Sequence, residues 1–418
     1  MTAPARRILH FALAIIIVGI LVGISSGLVS LLLRGFEHLA FGYVEDLAQP
    51  GAGGAPVWRR FAAVVAGGVV AAVAWWLLRT RAKAVPSVQK AVDGTPMPWW
   101  QTIVHAALQI MIVGTGSSVG REVAPRELGA LIGGWFGRVL GLEGRERAVI
   151  VASAAGAGLA GVYNIPLAGA LFAVEILLAS VSIETVAVAF GTSAISAWVA
   201  GVVEGNEPFY GIHGATASWS LTICVVIFGP LFGLLGYWFS HWGAWAERMR
   251  PKGAQILWLL PAASVLTGIV AIWIPEVMGN GRAVAQLGMD ATSWTAIGFL
   301  VAAFLAKGVL TLVTIRSGAS GGVLTPAIAL GASAGAVIGL LWSLAWPGTS
   351  IAAFALVGAA ALLASSQKAP LMATAIVFEL THASFEFLAP LGIAVAGAVL
   401  TRRLVESLVD RNQKLLDL

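Results

Sequence analysis

The chain has 418 residues, 58% of them hydrophobic and 11% charged, with a mean hydropathy of +0.89, far above a soluble domain, so it reads as a polytopic membrane protein. The net charge of +5 sits at loops and ends, and no basic face with interleaved aromatics is present, which excludes nucleic acid as a partner. Cys224 is the only cysteine and the six histidines pair at no metal-ligand spacing, so neither an intrachain disulfide nor a cofactor is expected.

The apolar run from about Ile8 to Leu33 predicts a first membrane helix; it is too long for a signal-peptide core. Gly35–Val57, with Glu37, Glu45 and Asp46, predicts a loop, and Phe61–Leu78 a span ending in Arg79, Arg81 and Lys83. Counting Lys and Arg puts both chain ends in the cytoplasm, through Arg6, Arg7, Arg402, Arg403, Arg411 and Lys414. The Arg79–Lys83 and Arg248–Lys252 turns join them, the acidic Glu204–Glu207 loop lies outside, and the location is a cell (inner) membrane. Trp75, Trp76, Trp99 and Trp100 suit interfacial belts or buried packing equally.

Past Lys83 the apolar segments become unequal and are broken by Gly and Pro. Several, such as Ile103–Val113 and Leu167–Ala179, are too short to cross a bilayer of about 30 Å at about 1.5 Å per residue. Ile351–Leu363 and Leu371–Thr381 repeat this in the second half. Short, interrupted helices at corresponding places in two halves point to a transporter's binding site.

The stretch Gly114-Thr-Gly-Ser-Ser-Val-Gly-Arg-Glu-Val-Ala-Pro125 lies among these segments. It holds Arg121 and Glu122 at membrane depth, where ionisable residues mark function. Its glycines and Pro125 predict a loop feeding a helix that starts part-way across the bilayer, with an anion-attracting N-terminus. Gly120-x4-Pro125 matches Gly321-x4-Pro326, and Asn164-Ile-Pro-Leu…Glu175 matches Lys368-Ala-Pro-Leu…Glu379, at offsets of 201 and 204 positions. The fold class predicted is all-α, with two inverted repeats, about 1–210 and about 211–418, and many tilted or partial helices. They form a single membrane transport domain.

These same residues resemble the CLC chloride channels and chloride/proton antiporters over nearly the whole chain. Gly120-Arg-Glu122 resembles the start of that family's Gly-Arg-Glu-Gly-Pro motif. Ser317-Gly-Ala-Ser-Gly-Gly-Val-Leu-Thr-Pro326 resembles its Gly-Gly-x-Phe-x-Pro motif, and Pro166–Glu175 and Pro370–Glu379 its Ala-Pro-Leu helices. The resemblance implies a homodimer with a separate anion path in each subunit, joined through about 167–203 and 371–400, with Ala168, Gly169, Ala189, Gly191, Ala373 and Ala375 as packing residues. It implies no soluble regulatory domain. The chain also departs from the pattern. Val123-Ala124-Pro125 replaces Gly-Pro-Thr, and Leu324 replaces the aromatic. Lys83 stands at the anion-contacting serine, Ile176 at the antiporters' inner glutamate, and Ser407-Leu-Val-Asp410 lacks the pore tyrosine.

Glu122 then reads as a carboxylate that competes with permeant anions for one electropositive place and leaves it when protonated. The bland reading is a helix-end acid paired with Arg121 or Arg126. Gly321, Gly322, Val323 and Leu324 read as backbone N–H donors to a dehydrated anion, with a glycine packing patch as the alternative. Lys83 either faces the inner vestibule or belongs to the topology-setting cluster. Glu127 reads as a first-turn acid, Glu175 and Glu379 as structural caps, and Lys307 and Arg316 as snorkelling or paired. The function expected is transport of a small inorganic anion, chloride, in exchange for protons across the lipid bilayer. A passive gated channel is the alternative, favoured by Ile176 and the missing tyrosine. A fluoride exporter ranks lower, and an enzyme lower still, because no catalytic constellation is present.

Overall fold

The computed structural model describes residues 3–416, and the side chains of residues 8–411; Arg6, Arg7 and Lys414 fall outside the described side chains. The first half runs α1 (Ala3–Leu13), a π-turn at Ala14–Val18, α2 (Gly19–Phe41), α3 (Val57–Arg81), α4 (Val88–Val92), α5 (Trp99–Gly114), α6 (Val123–Val139), α7 (Gly144–Tyr163), α8 (Pro166–Leu171) with a π-turn at Phe172–Leu177, and α9 (Ile183–Glu204). The second runs α10 (Trp219–Arg248), α11 (Ile256–Val270), α12 (Arg282–Met289), α13 (Ile297–Arg316), α14 (Leu324–Ala345), α15 (Ile351–Gln367), α16 (Pro370–Thr381) and α17 (Leu388–Leu416). Among the described residues, 7 helices are long and apolar enough to cross a membrane. The only β-type pairing among them joins Gly120 to Gly322.

Several boundaries differ from expectation. The first span continues through Glu37 to Phe41, and Gly42, at φ +92°, stops it by donating its N–H to the His38 carbonyl. The segment expected to end near Leu400 continues as α17 to Leu416. Arg402 explains part of this. Its guanidinium donates to the carbonyls of Ser365 and Ser366 at the end of α15 and to Glu406 one turn on, a cation on a helix C-terminus. Of the tryptophans, Trp75 is fully buried while Trp99 and Trp100 are exposed.

Glycine sets how closely the inner helices approach. A Cβ on Gly129 would lie 2.1 Å from the Ala154 carbonyl oxygen, and one on Gly335 would lie 2.2 Å from that of Phe354. So α6 lies on α7, and α14 on α15, backbone to backbone. Small-residue contact is how helices associate where lipid removes the hydrophobic drive. The small residues expected at a subunit face are used here instead. Ala168, Ala189, Ala373 and Ala375 are buried within the subunit, and a Cβ on Gly169 would meet the Gly156 carbonyl at 2.5 Å. Gly191 packs against Ile15. The exposed faces of α8, α9 and α16 carry large apolar groups, among them Leu167, Phe190, Trp198 and Leu371.

The two halves repeat each other in detail. Asn164 and Lys368 both take a left-handed turn, at φ 53° and 58°, and each feeds a helix that begins with proline. Glu379 accepts hydrogen bonds from the Leu167 and Ala168 N–H groups at 2.9 and 2.7 Å. Glu175 does the same for Leu371 and Met372 at 3.1 and 2.8 Å. Each carboxylate thus caps the partner helix in the other half, at positive dipole ends whose N–H groups have no intrahelical acceptor. Glu379→Ala and Glu175→Ala should each cost about 2 kcal/mol, the scale of hydrogen bonds to a charged group. Thermal unfolding in detergent should show the Gln variants falling between Ala and wild type; Ala variants as stable as wild type would show that the caps hold nothing.

Candidate functional site

The loops before α6 and α14 bring their N-termini together. Gly120 and Gly322 exchange two N–H···O bonds, each 2.8 Å. This is the convergence that the paired Gly-x4-Pro motifs predict, and Pro125 and Pro326 both lie in the first turn of their helices. Glu122 stands at the N-cap position of α6 without a side-chain bond to that helix, is wholly buried, and crosses to the opposite helix. Its Oε1 accepts the Leu324 N–H at 2.6 Å and its Oε2 accepts the Thr325 hydroxyl at 3.1 Å. A carboxylate therefore stands at the positive end of α14, where a small anion would find the same donors.

The slot exists because two residues lack a side chain. A Cβ on Gly322 would lie 1.9 Å from Glu122 Oε1, and a Cβ on Gly120 would lie 2.1 Å from Oε2. Gly321 is equally confined, its Cβ position 2.5 Å from Val119. Gly321, Gly322, Val323 and Leu324 also line a cavity of about 350 Å³ together with Val123 and Arg126.

Residues 121, 122 and 123 pass through a wall between two vestibules. Arg121 opens on one of about 450 Å³, which also receives Arg34, Glu37, Glu45, Glu204 and Arg282. Its guanidinium sits 4.8 Å from the Tyr163 ring centre and 5.4 Å from that of Phe209, a cation–π geometry. Burial, and then the neighbouring Glu37, hold the loop carboxyl of Glu45 above the usual carboxylate range, although Arg282 and Arg121 oppose this. Val123 faces the other vestibule, of about 750 Å³, which gathers Arg79, Lys83, Arg126, Arg248, Arg250 and Lys252 against Glu127 and Glu247. Glu122 is sealed between the two.

This arrangement decides several open readings. Glu122 is held by helix donors, not by Arg121 or Arg126; Arg126 donates its Nε–H to the Glu122 backbone carbonyl at 2.6 Å and lies over Phe172. Lys83 lines the basic vestibule and is part of the basic cluster as well, so its two readings describe one place. Lys307 is buried and donates to the Val277 and Gly279 carbonyls at 3.1 and 2.7 Å, so it pairs and does not snorkel. Ile176 lies on the basic vestibule wall. Sequence reasoning missed Thr325, although it stands directly before Pro326 in the motif. It also took Glu127 for a dipole-complementing acid, whereas its side chain leaves the helix axis for Gln109 on α5, accepting from Nε2 at 2.8 Å. Spacing carried that signal: Glu127 is four residues past Val123 and so shares its face.

Two inverted halves whose partial helices meet N-terminus to N-terminus, with a sealed carboxylate between two vestibules, define a membrane transport protein. The model of the voltage gated chloride channel family matches residues 67–403, and the chain belongs to that family. It is 30% identical to a putative ClcB-like chloride channel protein of Ralstonia nicotianae, over 81% of each chain. It is 28% identical to the H(+)/Cl(-) exchange transporter ClcA of Citrobacter koseri, over 81% of this chain and 75% of that one. The fold matches the crystal structure of a slow cyanobacterial Cl-/H+ antiporter with a TM-score of 0.80 at 21% identity, covering 96% of this chain and 98% of the other.

A Cβ at position 322 must displace the flexible end of Glu122, so Gly322→Ala should empty the slot much as Glu122→Ala does. The two substitutions should then be non-additive: in liposomes the double variant should match either single variant in anion flux. A double variant whose effect is the product of the two singles would show that Gly322 acts elsewhere.

Proposed function

We propose that this protein moves a small inorganic anion, chloride, across the membrane in exchange for protons, with Glu122 as the group that both processes share. The observation that carries this is the fully buried Glu122 carboxylate on the N-terminus of α14. In its charged form it satisfies the positive helix end and blocks the path. Protonation removes the charge that the helix end attracts, so the side chain leaves and the Leu324 N–H, with the neighbouring backbone of Gly321 and Val323, becomes available to chloride; the Gly322 N–H, expected as a donor, is held by the Gly120 carbonyl instead. The Lys83 cluster raises the local anion concentration at the basic mouth, and Arg121 supplies a cation beside Glu122 at the other. The names of the curated relatives, a chloride channel protein and a proton/chloride exchanger, support the same reading. No enzymatic step is part of it.

The excess of Lys and Arg around the larger vestibule supports a cytoplasmic position for that side, and with it for both termini. The subunit assembles as a homodimer through exposed faces within about 167–203 and 371–400, from α8, α9, α16 and the start of α17, and each subunit is one transport domain of two repeats. The half-buried Glu175 and Glu379 carboxylates near these faces favour a protein partner over lipid, where exposed charge is costly. A passive gated path is the second reading. It is favoured by Ile176, which leaves that place on the cytoplasmic wall without a proton carrier.

Glu122→Gln mimics the neutral acid. In proteoliposomes it should keep anion flux, lose the rise in flux as pH falls, and lose proton movement. Reversal potentials under opposed proton and chloride gradients separate the two readings, since wild type that ignores the proton gradient is a channel. Uphill proton transport persisting in Glu122→Gln would remove Glu122 from the coupling. For assembly, Leu371→Trp should yield monomers by light scattering in mild detergent; wild type that is already monomeric across a wide concentration range would count against the dimer.

A further inference from the structure

One buried carboxylate plays no part in the scheme above. Glu127 follows Glu122 by five residues on α6, about 7.5 Å along the axis at about 1.5 Å per residue. It is 5% exposed and lines the basic vestibule. Its Oε2 accepts the Gln109 amide N–H at 2.8 Å, and its Oε1 lies 3.7 Å from His105 Nε2.

The histidine is fixed from behind. Trp75 Nε1 donates to His105 Nδ1 at 3.0 Å. An indole nitrogen can only donate, so Nδ1 is the bare nitrogen and the ring proton sits on Nε2, facing Glu127. A second proton on His105 would break the Trp75 bond. The pair can therefore accept a proton at Glu127 but not at the ring.

Gln109 suits both states of the acid. Its amide N–H serves the carboxylate, while its Oε1 is buried with no partner; rotation of the amide presents that oxygen to a carboxylic O–H. The charged groups around Glu127 are known from each neighbouring element: Arg126 on its own helix, Arg79 at the end of α3, Lys83 beyond it, and Glu247, Arg248, Arg250 and Lys252 from the end of α10 and its turn. Cations outnumber acids there, so the carboxylate is tolerated, and the vestibule gives it access to water.

We propose that Glu127 is this chain's proton acceptor on the basic-vestibule side, taking a proton from vestibule water as a carboxylic acid and passing it across the wall at Val123 to Glu122. Its proton-transfer role rests on the transport reading; its proton binding does not. Nothing is oxidised or reduced: a proton moves from hydronium to Glu127, and then to the Glu122 carboxylate.

The test uses two readouts on the full-length protein. One is infrared difference spectroscopy on acidification, for a carboxylic C=O band that shifts in D₂O. The other is anion flux in proteoliposomes against the pH on the basic-vestibule side. Wild type should show the band and a flux that rises as that pH falls; Glu127→Gln, which keeps the size and the hydrogen bonds, should lose both, and Glu127→Asp should restore the band. Gln109→Leu should shift the midpoint of both readouts together, which a purely structural clamp between α5 and α6 would not do. Either readout unchanged in Glu127→Gln overturns the proposal, as does a wild type without the band. A wild type that carries no anion would sink the transport reading alone, and the band would still decide whether Glu127 binds the proton.

Discussion

The N-termini of α6 and α14 point at each other inside an apolar body, and two positive dipole ends placed face to face repel unless something negative lies between them. The Glu122 carboxylate is that group. The Gly120–Gly322 pairing fixes the separation, and the absence of a Cβ at both positions leaves room for a carboxylate in the gap. Structure and function share this constraint: the site must hold an anion to be stable, and it must be able to exchange that anion to conduct. A protonatable side chain meets both demands, because one proton turns a resident anion into a neutral group with a weaker hold on the helix end.

The same logic recurs at α8 and α16, with the opposite outcome. Glu175 and Glu379 each accept two backbone N–H groups from the other half. The basic vestibule reaches Phe172, Ile176 and Leu177 beside Glu175, but no described glycine would place a Cβ against either carboxylate. What sets Glu122 apart is the glycine slot at Gly120 and Gly322 and the two vestibules that approach its neighbours Arg121 and Val123 from opposite sides. Glu175 reaches its partner helix from the π-turn at Phe172–Leu177 and Glu379 from the continuous α16.

Around the central gap, charge is sorted by vestibule. Basic groups from α3, α6 and the α10–α11 turn collect on one side, and a mixture dominated by acids collects on the other. The cost of burying charge falls mainly on Glu37, Arg60, Glu122, Glu127, Lys307 and Arg402. Each of these has hydrogen-bonding partners in the structure, as buried polar groups in a low-dielectric interior must.

Much of this was legible in the sequence. Hydropathy and length required membrane helices, the Gly-x4-Pro and Pro-Leu…Glu repeats required two related halves, and the Gly-rich loop with Glu122 marked a helix start at membrane depth. These signals are local: they depend on backbone freedom, helix periodicity and the cost of charge in lipid. Which donors Glu122 meets was not legible, because Leu324 and Thr325 lie about two hundred positions away and only the inverted packing brings them within bonding distance. The same holds for the Trp75–His105–Glu127 chain, built from three helices, and for the small residues of α8 and α16. Their type signals close packing, but sequence carries no information about whether the packed neighbour belongs to the same subunit. Tertiary structure decided that, because burial depends on which faces meet and not on composition.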